Sequence, residues 1–217
     1  MTTLLLVDDN QTLADLYAEG MTRQGFEVTT AYSGPECLEV LKTTQPDIIL
    51  LDIMMPGMDG WETVQNIREL PECRKIPVLM VTAKLLLAEE LLAHGDLIDG
   101  FLLKPFTLTE LAGRIRDFEH KRSELAGCMQ KLREGGTDPE TFEECAELAR
   151  QVTVQKKLTG RIITQYETAF ADPDTGEQIP EVVRKLQEAY QNKTKRLSEL
   201  AGPALCNCIK ALSANDH

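Results

Sequence analysis

Two short apolar runs that end in carboxylates constrain this chain more than any other feature. Leu4-Leu5-Leu6-Val7 closes on Asp8 and Asp9, and Asp47-Ile48-Ile49-Leu50-Leu51 closes on Asp52. Each run is bounded by turn residues, as a strand buried on both faces would be. As parallel neighbours the two strands open at the same sheet edge, which is where open α/β sheets bind ligands. Three acids gathered there repel one another, and a hard divalent cation relieves the repulsion.

The rest of the first half repeats this alternation of strand and helix. Gln11–Gln24 has a helical pattern, Gly25 punctuates, and Phe26–Thr30 reads as a second strand. Ser33 is placed to cap a helix through Lys42, with Pro35 in its first turn. The turn cluster Pro56-Gly57-Met58-Asp59-Gly60 precedes a helix to about Leu70. Ile76–Val81 is a fourth strand, Leu85–His94 a short helix, Asp99–Leu102 a fifth strand, and Thr107 opens a fifth helix. Five such βα units predict an α/β fold, a doubly wound five-stranded parallel sheet with helices on both faces.

From Thr107 onward the helical pattern continues past the point where an α/β unit ends. Leu111, Ile115, Phe118, Arg122, Leu125, Met129 and Leu132 follow steps of four and three up to Gly135-Gly136. A continuous helix over 107–134 would be roughly 42 Å long. Asp138-Pro139 starts a second long helix, through about Ala171, with a seam of Cys145, Leu148, Val152, Gln155, Thr159, Ile162, Tyr166 and Ala169. Gln155 and Thr159 interrupt this seam and are expected at its solvent edge; the sharper alternative has them setting register in a bundle. Asp172-Pro173-Asp174-Thr175-Gly176 is a turn, and a third helix from Pro180 should break at Gly202-Pro203, leaving a short helix over Ala204–Leu212. The expected architecture is therefore an α/β domain followed by an all-α helical hairpin or bundle extension. The boundary falls at residue 120, with the fifth helix continuing to about 134 and residues 121–217 forming a helical output or dimerisation module.

Charge narrows the classes of partner. The formal net charge is −12, and residues 1–120 carry 9 basic against 20 acidic side chains, residues 121–217 14 against 15. The acidic half argues against nucleic acid, and the cluster Lys193, Lys195, Arg196 reads as a solvated helix face. No long apolar segment and no basic-apolar-small leader is present, which points to the cytoplasm and to no membrane insertion. The six cysteines are scattered without zinc spacing, and Cys206-x-Cys208 reads as a pair of reduced thiols packed as small hydrophobes.

The strand ends supply the parts of a phosphoryl-transfer site. Asp52 is the candidate nucleophile, since a carboxylate that attacks phosphorus forms an acyl phosphate. Asp9 would bind a metal directly, Asp8 would bind it or orient its waters, and the backbone carbonyl of Met54 can turn toward the cation. Mg²⁺ favours such a small set of oxygens completed by water and phosphate. Thr82 offers a hydroxyl and Lys104 an ammonium to phosphoryl oxygens. Pro105 shapes the loop after Lys104 and makes a cis bond accessible. Singly, an Asp after a strand is a helix cap and a Thr there is core; the joint occurrence at four strand ends favours chemistry.

The stretches Leu-Leu-Leu-Val-Asp-Asp-Asn (4–10), Leu-Leu-Asp-Ile-Met-Met-Pro-Gly-Met-Asp-Gly (50–60), Ile-Pro-Val-Leu-Met-Val-Thr-Ala (76–83) and Phe-Leu-Leu-Lys-Pro-Phe (101–106) together resemble a two-component response regulator with a CheY-like, flavodoxin-like receiver domain. The resemblance implies that Asp52 accepts phosphate from a histidine kinase. It implies Mg²⁺ held by Asp9, Asp52 and the Met54 carbonyl with Asp8 assisting, and a phosphoryl group contacted by Thr82 and Lys104. It makes Phe101 the switch aromatic, here without the hydroxyl of a tyrosine. It sets Met54 and Lys84 beside the hydrolytic water, where a large apolar Met would prolong the phosphorylated state. Such a chain is not an enzyme in the usual sense, because it catalyses only phosphorylation and dephosphorylation of its own aspartate.

The resemblance ends near residue 120, and no nucleophile–base pair or Gly-rich phosphate loop follows. A helical module that self-associates or docks on a protein target fits the seams and the near-neutral charge. Two alternatives are a phosphorelay intermediate that passes phosphate through His120, and a DNA-binding regulator. His120, between the seam residues Phe118 and Arg122, reads most simply as a solvated helix histidine. The unbroken fifth helix suggests that rearrangement around Phe101 changes how this helix is presented and shifts a dimer or docking equilibrium.

Overall fold

The computed structural model describes residues 1–84, 87–169 and 180–212, with side chains described to 164 in the sixth helix and to 202 in the seventh. Five strands, β1 (Thr3–Val7), β2 (Glu27–Ala31), β3 (Ile48–Leu51), β4 (Val78–Thr82) and β5 (Gly100–Leu103), form one parallel sheet in the order β2-β1-β3-β4-β5. This is the doubly wound, flavodoxin-like order with its crossover beside β1. Every residue of β3 and β4 is buried, as is β1 from Leu4 onward, whereas the edge strand β2 alternates.

Helices α1 (Gln11–Arg23), α2 (Gly34–Leu41) and α3 (Gly60–Glu69) follow the first three strands, and each starts on a side-chain cap. Asn10 accepts from the Leu13 N–H, Ser33 from Glu36 and Asp59 from Glu62, so that each satisfies a donor the first turn leaves open. Gly60 is required where α3 meets the end of β3, because a Cβ there would lie 2.3 Å from the Asp52 carbonyl oxygen. Strand bounds differ from the sequence reading by one or two residues. The largest shift is at β4, which starts at Val78 rather than Ile76; Pro77 brings only its carbonyl, which accepts from the Ile49 N–H at 2.8 Å.

Helix α4 (Ala88–His94) runs into a 3-10 turn, Gly95–Leu97, and is shorter than the predicted Leu85–His94; residues 85 and 86 lie outside the described ones. Helix α5 (Leu108–Glu134) is one uninterrupted helix that opens with a capping box, in which the Thr107 N–H donates to Glu110 and the Glu110 N–H to the Thr107 hydroxyl. Helices α6 (Pro139–Ala169) and α7 (Glu181–Leu212) follow. Helix α7 is broken at Gly202, whose φ of 71° favours glycine, so the predicted break before Pro203 is observed. The predicted turn at 172–176, the pair Cys206-x-Cys208 and the seam residues Tyr166 and Ala169 lie outside what is described.

The described residues fall into two compact units, one of 1–84 and 97–116, the other of 87–96 and those from 117 onward. In the second unit Met129, Cys145, Ala149, Val152 and Leu197 form a core flanked by Leu125, Leu132 and Tyr190, so the seams of α5, α6 and α7 do face one another. Arg196, shortly before the break in α7, pairs with Glu144 near the start of α6 at 2.8 Å, as in an antiparallel pair. No helix among the described residues is long and apolar enough to cross a membrane.

Gln155 and Thr159 correct an expectation. They are buried, at 4% and 5% exposure, rather than at a solvent edge. The Gln155 amide is used by Asp96, while Gln155 Oε1 and the Thr159 hydroxyl have no hydrogen-bond partner among the described residues. A buried hydroxyl without a partner is destabilising, so Thr159→Val is expected to raise the unfolding free energy by about 1 kcal/mol. Urea unfolding checks this; a loss of stability would mean that the hydroxyl is satisfied in solution.

Candidate functional site

Sheet register alone brings the first two site residues together. Val7 lies opposite Leu51, so the next residues, Asp8 and Asp52, leave the sheet side by side. Thr82 lies opposite Leu103, which sets Lys104 one step beyond the end of β5. Backbone hydrogen bonds fix these exits: the Asp8 N–H donates to Ala31, Asp52 to Val7 and Lys104 to Thr82, at 3.2, 2.9 and 2.8 Å.

Asp8 and Asp52 are buried, and the Lys104 ammonium lies between them. Lys104 Nζ donates to Asp8 Oδ2 at 2.6 Å and to Asp52 Oδ2 at 2.7 Å. Each carboxylate uses its other oxygen on a backbone donor, Asp8 on the Asn10 N–H at 2.9 Å and Asp52 on the Met54 N–H at 3.0 Å. Burial pulls the Lys104 pKa down, but the hydrogen bonds and charges of Asp52 and Asp8 together outweigh it, so the value is raised. A charged ammonium held by two charge-assisted hydrogen bonds is the result.

The other predicted residues take distinct places around this triad. Thr82 is fully buried, and its hydroxyl accepts from the Lys84 N–H at 3.2 Å. Met54 follows the Asp52 turn with its side chain 54% exposed. Asp9 is exposed, Lys84 is half-buried, and Phe101 is half-buried opposite Met80 on β5. The Lys104–Pro105 peptide bond is cis. His120 stands apart on α5, with its side chain 73% exposed and Nδ1 3.4 Å from Glu124.

Sequence reading missed two aromatic residues. Tyr17 of α1 stacks on Phe106 with ring centroids 5.5 Å apart. Its phenol pKa is raised, mainly by burial, and it feels the charges of Lys104, Asp8 and Asp52. A tyrosine midway along a helix carries no motif, so only the fold could reveal it.

The donor set is suited to a hard cation. Asp8, Asp52 and the nearby Met54 carbonyl offer oxygen only, and Mg²⁺ takes one or two carboxylates and keeps several waters. Among the described residues no three His, Cys, Asp or Glu side chains are grouped so as to hold a metal ion, so the expected gathering of Asp8, Asp9 and Asp52 is not seen: Asp8 and Asp52 are buried together and Asp9 is exposed.

Comparison with known proteins places the α/β part of the chain in a family. The family model of the response regulator receiver domain matches residues 4–116. The chemotaxis protein CheY4 of Vibrio cholerae is 30% identical, with 54% of this chain and 97% of that chain covered and a TM-score of 0.50. The receiver domain of the Francisella response regulator 1452 is 27% identical, with 57% and 99% covered and a TM-score of 0.50. TrrA from Thermotoga maritima, crystallised in complex with Mg²⁺ and BeF, is 27% identical, with 54% and 99% covered and a TM-score of 0.47. The helical region beyond residue 116 is outside the family match. With more than half of its length matched, the chain belongs to the response regulator receiver family, a component of two-component signalling.

Proposed function

We propose that Asp52 is the phosphoacceptor of a response regulator, supplied by a histidine kinase in a Mg²⁺-dependent reaction. The observation that carries this reading is the Lys104 ammonium bonded at once to Asp8 and Asp52 at the mouth of the sheet. In the reaction the N–P bond of the phosphohistidine breaks as an Asp52 oxygen bonds to phosphorus, and the imidazole nitrogen keeps the electron pair. Bound at Asp8, Asp9, Asp52 and the Met54 carbonyl, Mg²⁺ would neutralise the charge of the phosphoryl oxygens. Lys104 moves from pairing two carboxylates to holding a phosphoryl oxygen, and the Thr82 hydroxyl donates to another. Phe101 follows Thr82 inward by packing alone.

In this reading residues 1–120 are the receiver and 121–217 the output or dimerisation module of a cytoplasmic protein. A protein target or a second copy of the chain fits that module better than DNA, because three of its basic side chains, two of them in its densest basic cluster, are engaged by acids. Arg196 pairs with Glu144, Lys193 with Asp96 and Arg150 with Glu147. His120 remains a candidate for onward transfer, with its Nδ1 3.4 Å from the exposed Glu124.

Treating the full chain with a small phosphodonor and Mg²⁺ tests the reading: a base-labile label on Asp52 is expected. The exposed Met54 beside the nucleophile screens the approach of water, so the label should last minutes or longer. Decay within seconds in Mg²⁺ would show that Met54 does not obstruct hydrolysis.

A further inference from the structure

The helical unit contains a piece of chain that sequence order assigns to the α/β half. Residues 87–96, between β4 and β5, belong with the residues from 117 onward, and α4 packs on α7 and α6. The join is polar and specific, and it converges on Asp96 in the turn after α4. The Asp96 carboxylate accepts from the Gln155 amide on α6 and pairs with the Lys193 ammonium on α7. Its backbone carbonyl accepts from the Arg150 guanidinium, which Glu147 holds in turn. Gln155 is buried, so its amide has no solvent to turn to if Asp96 withdraws.

Both ends of this segment are covalently rooted in the strands that build the site. The chain enters α4 from the loop after Thr82, where the Lys84 N–H holds the Thr82 hydroxyl, and it leaves Asp96 into β5, which carries Phe101 and ends at Lys104. A movement of Thr82 toward a phosphoryl group therefore pulls on one end of α4, and a rotation of Phe101 acts at the other.

We propose that Asp96 is a positioning residue that clamps α4 to α6 and α7, so that the phosphorylation state of Asp52 reaches the helical module through α4. The proposal rests on the reading of Asp52 as phosphoacceptor. It adds a route to the one along α5, and it makes the coupling reciprocal: whatever binds α6 and α7 biases the end of β4 that carries Thr82.

Hydrogen exchange of the full chain, with and without beryllofluoride and Mg²⁺, tests it. The wild type should change protection in residues 139–164 and 181–201 on activation. Asp96→Ala should still take label on Asp52 but lose that change. Lys193→Met, which removes one partner from the module side, should give the same loss and decides the matter if Asp96→Ala fails to fold. Glu144→Gln weakens the α6–α7 pair without touching α4 and should keep the wild-type response. A wild-type response in both Lys193→Met and Asp96→Ala overturns the clamp, as does an unresponsive wild type that nonetheless labels Asp52. A wild type that takes no label overturns the phosphoacceptor reading and the clamp with it.

Discussion

Lys104→Met is expected to lower the unfolding free energy by about 3 kcal/mol in magnesium-free buffer, the low end of the cost of breaking a buried ion pair. The Lys104 side chain is 12% exposed and its ammonium stands between Asp8 and Asp52, whose side chains are 4% and 9% exposed, so its removal leaves two adjacent buried charges without a counter-charge. The backbone N–H groups of Asn10 and Met54 still hold one oxygen of each, which keeps the cost from being larger. Saturating Mg²⁺ should stabilise the variant more than the wild type, because a cation among the carboxylates does the work of the lost ammonium. Urea unfolding followed by the fluorescence of the single Trp61, buried in α3, measures both effects. A variant as stable as the wild type without Mg²⁺ would show that the ion pair adds nothing. The sign of the pH dependence also follows. The Lys104 pKa is raised above its ordinary 10.5, so its contribution is fully present below that value and is lost as pH rises through the higher folded-state value. The gap between wild type and variant should therefore close at the alkaline end of the range.

Asp52→Asn should abolish labelling by phosphodonor or kinase while leaving the fold intact. An amide is no nucleophile toward phosphorus, so the chemical loss is complete. The structural effect has the opposite character. Lys104 keeps Asp8, and one of two mutually repelling carboxylates becomes neutral, so stability should stay within about 1 kcal/mol of wild type. Retained labelling at wild-type stoichiometry would move the acceptor elsewhere, and a large loss of stability would make Asp52 a structural carboxylate.

What sequence could reveal depended on where the partner of each residue lay. The apolar runs named the strands, and parallel register turned Val7 opposite Leu51 into Asp8 beside Asp52. The cap at Ser33 was local and legible for the same reason. Gln155 was misjudged because its partner, Asp96, lies 59 residues away in sequence, and a seam pattern sees only its own helix. The membership of α4 in the helical unit was hidden likewise, since its residues Ala88–His94 sit where a βα unit requires a helix. Tyr17 and Phe106 meet only through the fold, and neither has a spacing that announces the other.

The most direct measurement is site mapping of the covalent product. The wild-type chain is treated with a small phosphodonor and Mg²⁺, trapped by borohydride reduction, digested and sequenced by mass spectrometry. A single modified side chain at Asp52, acid-stable and base-labile before trapping, is the expected result. Absence of any label, or a label on His120 with Asp52 untouched, would contradict the assignment of this pocket as the phosphoacceptor site.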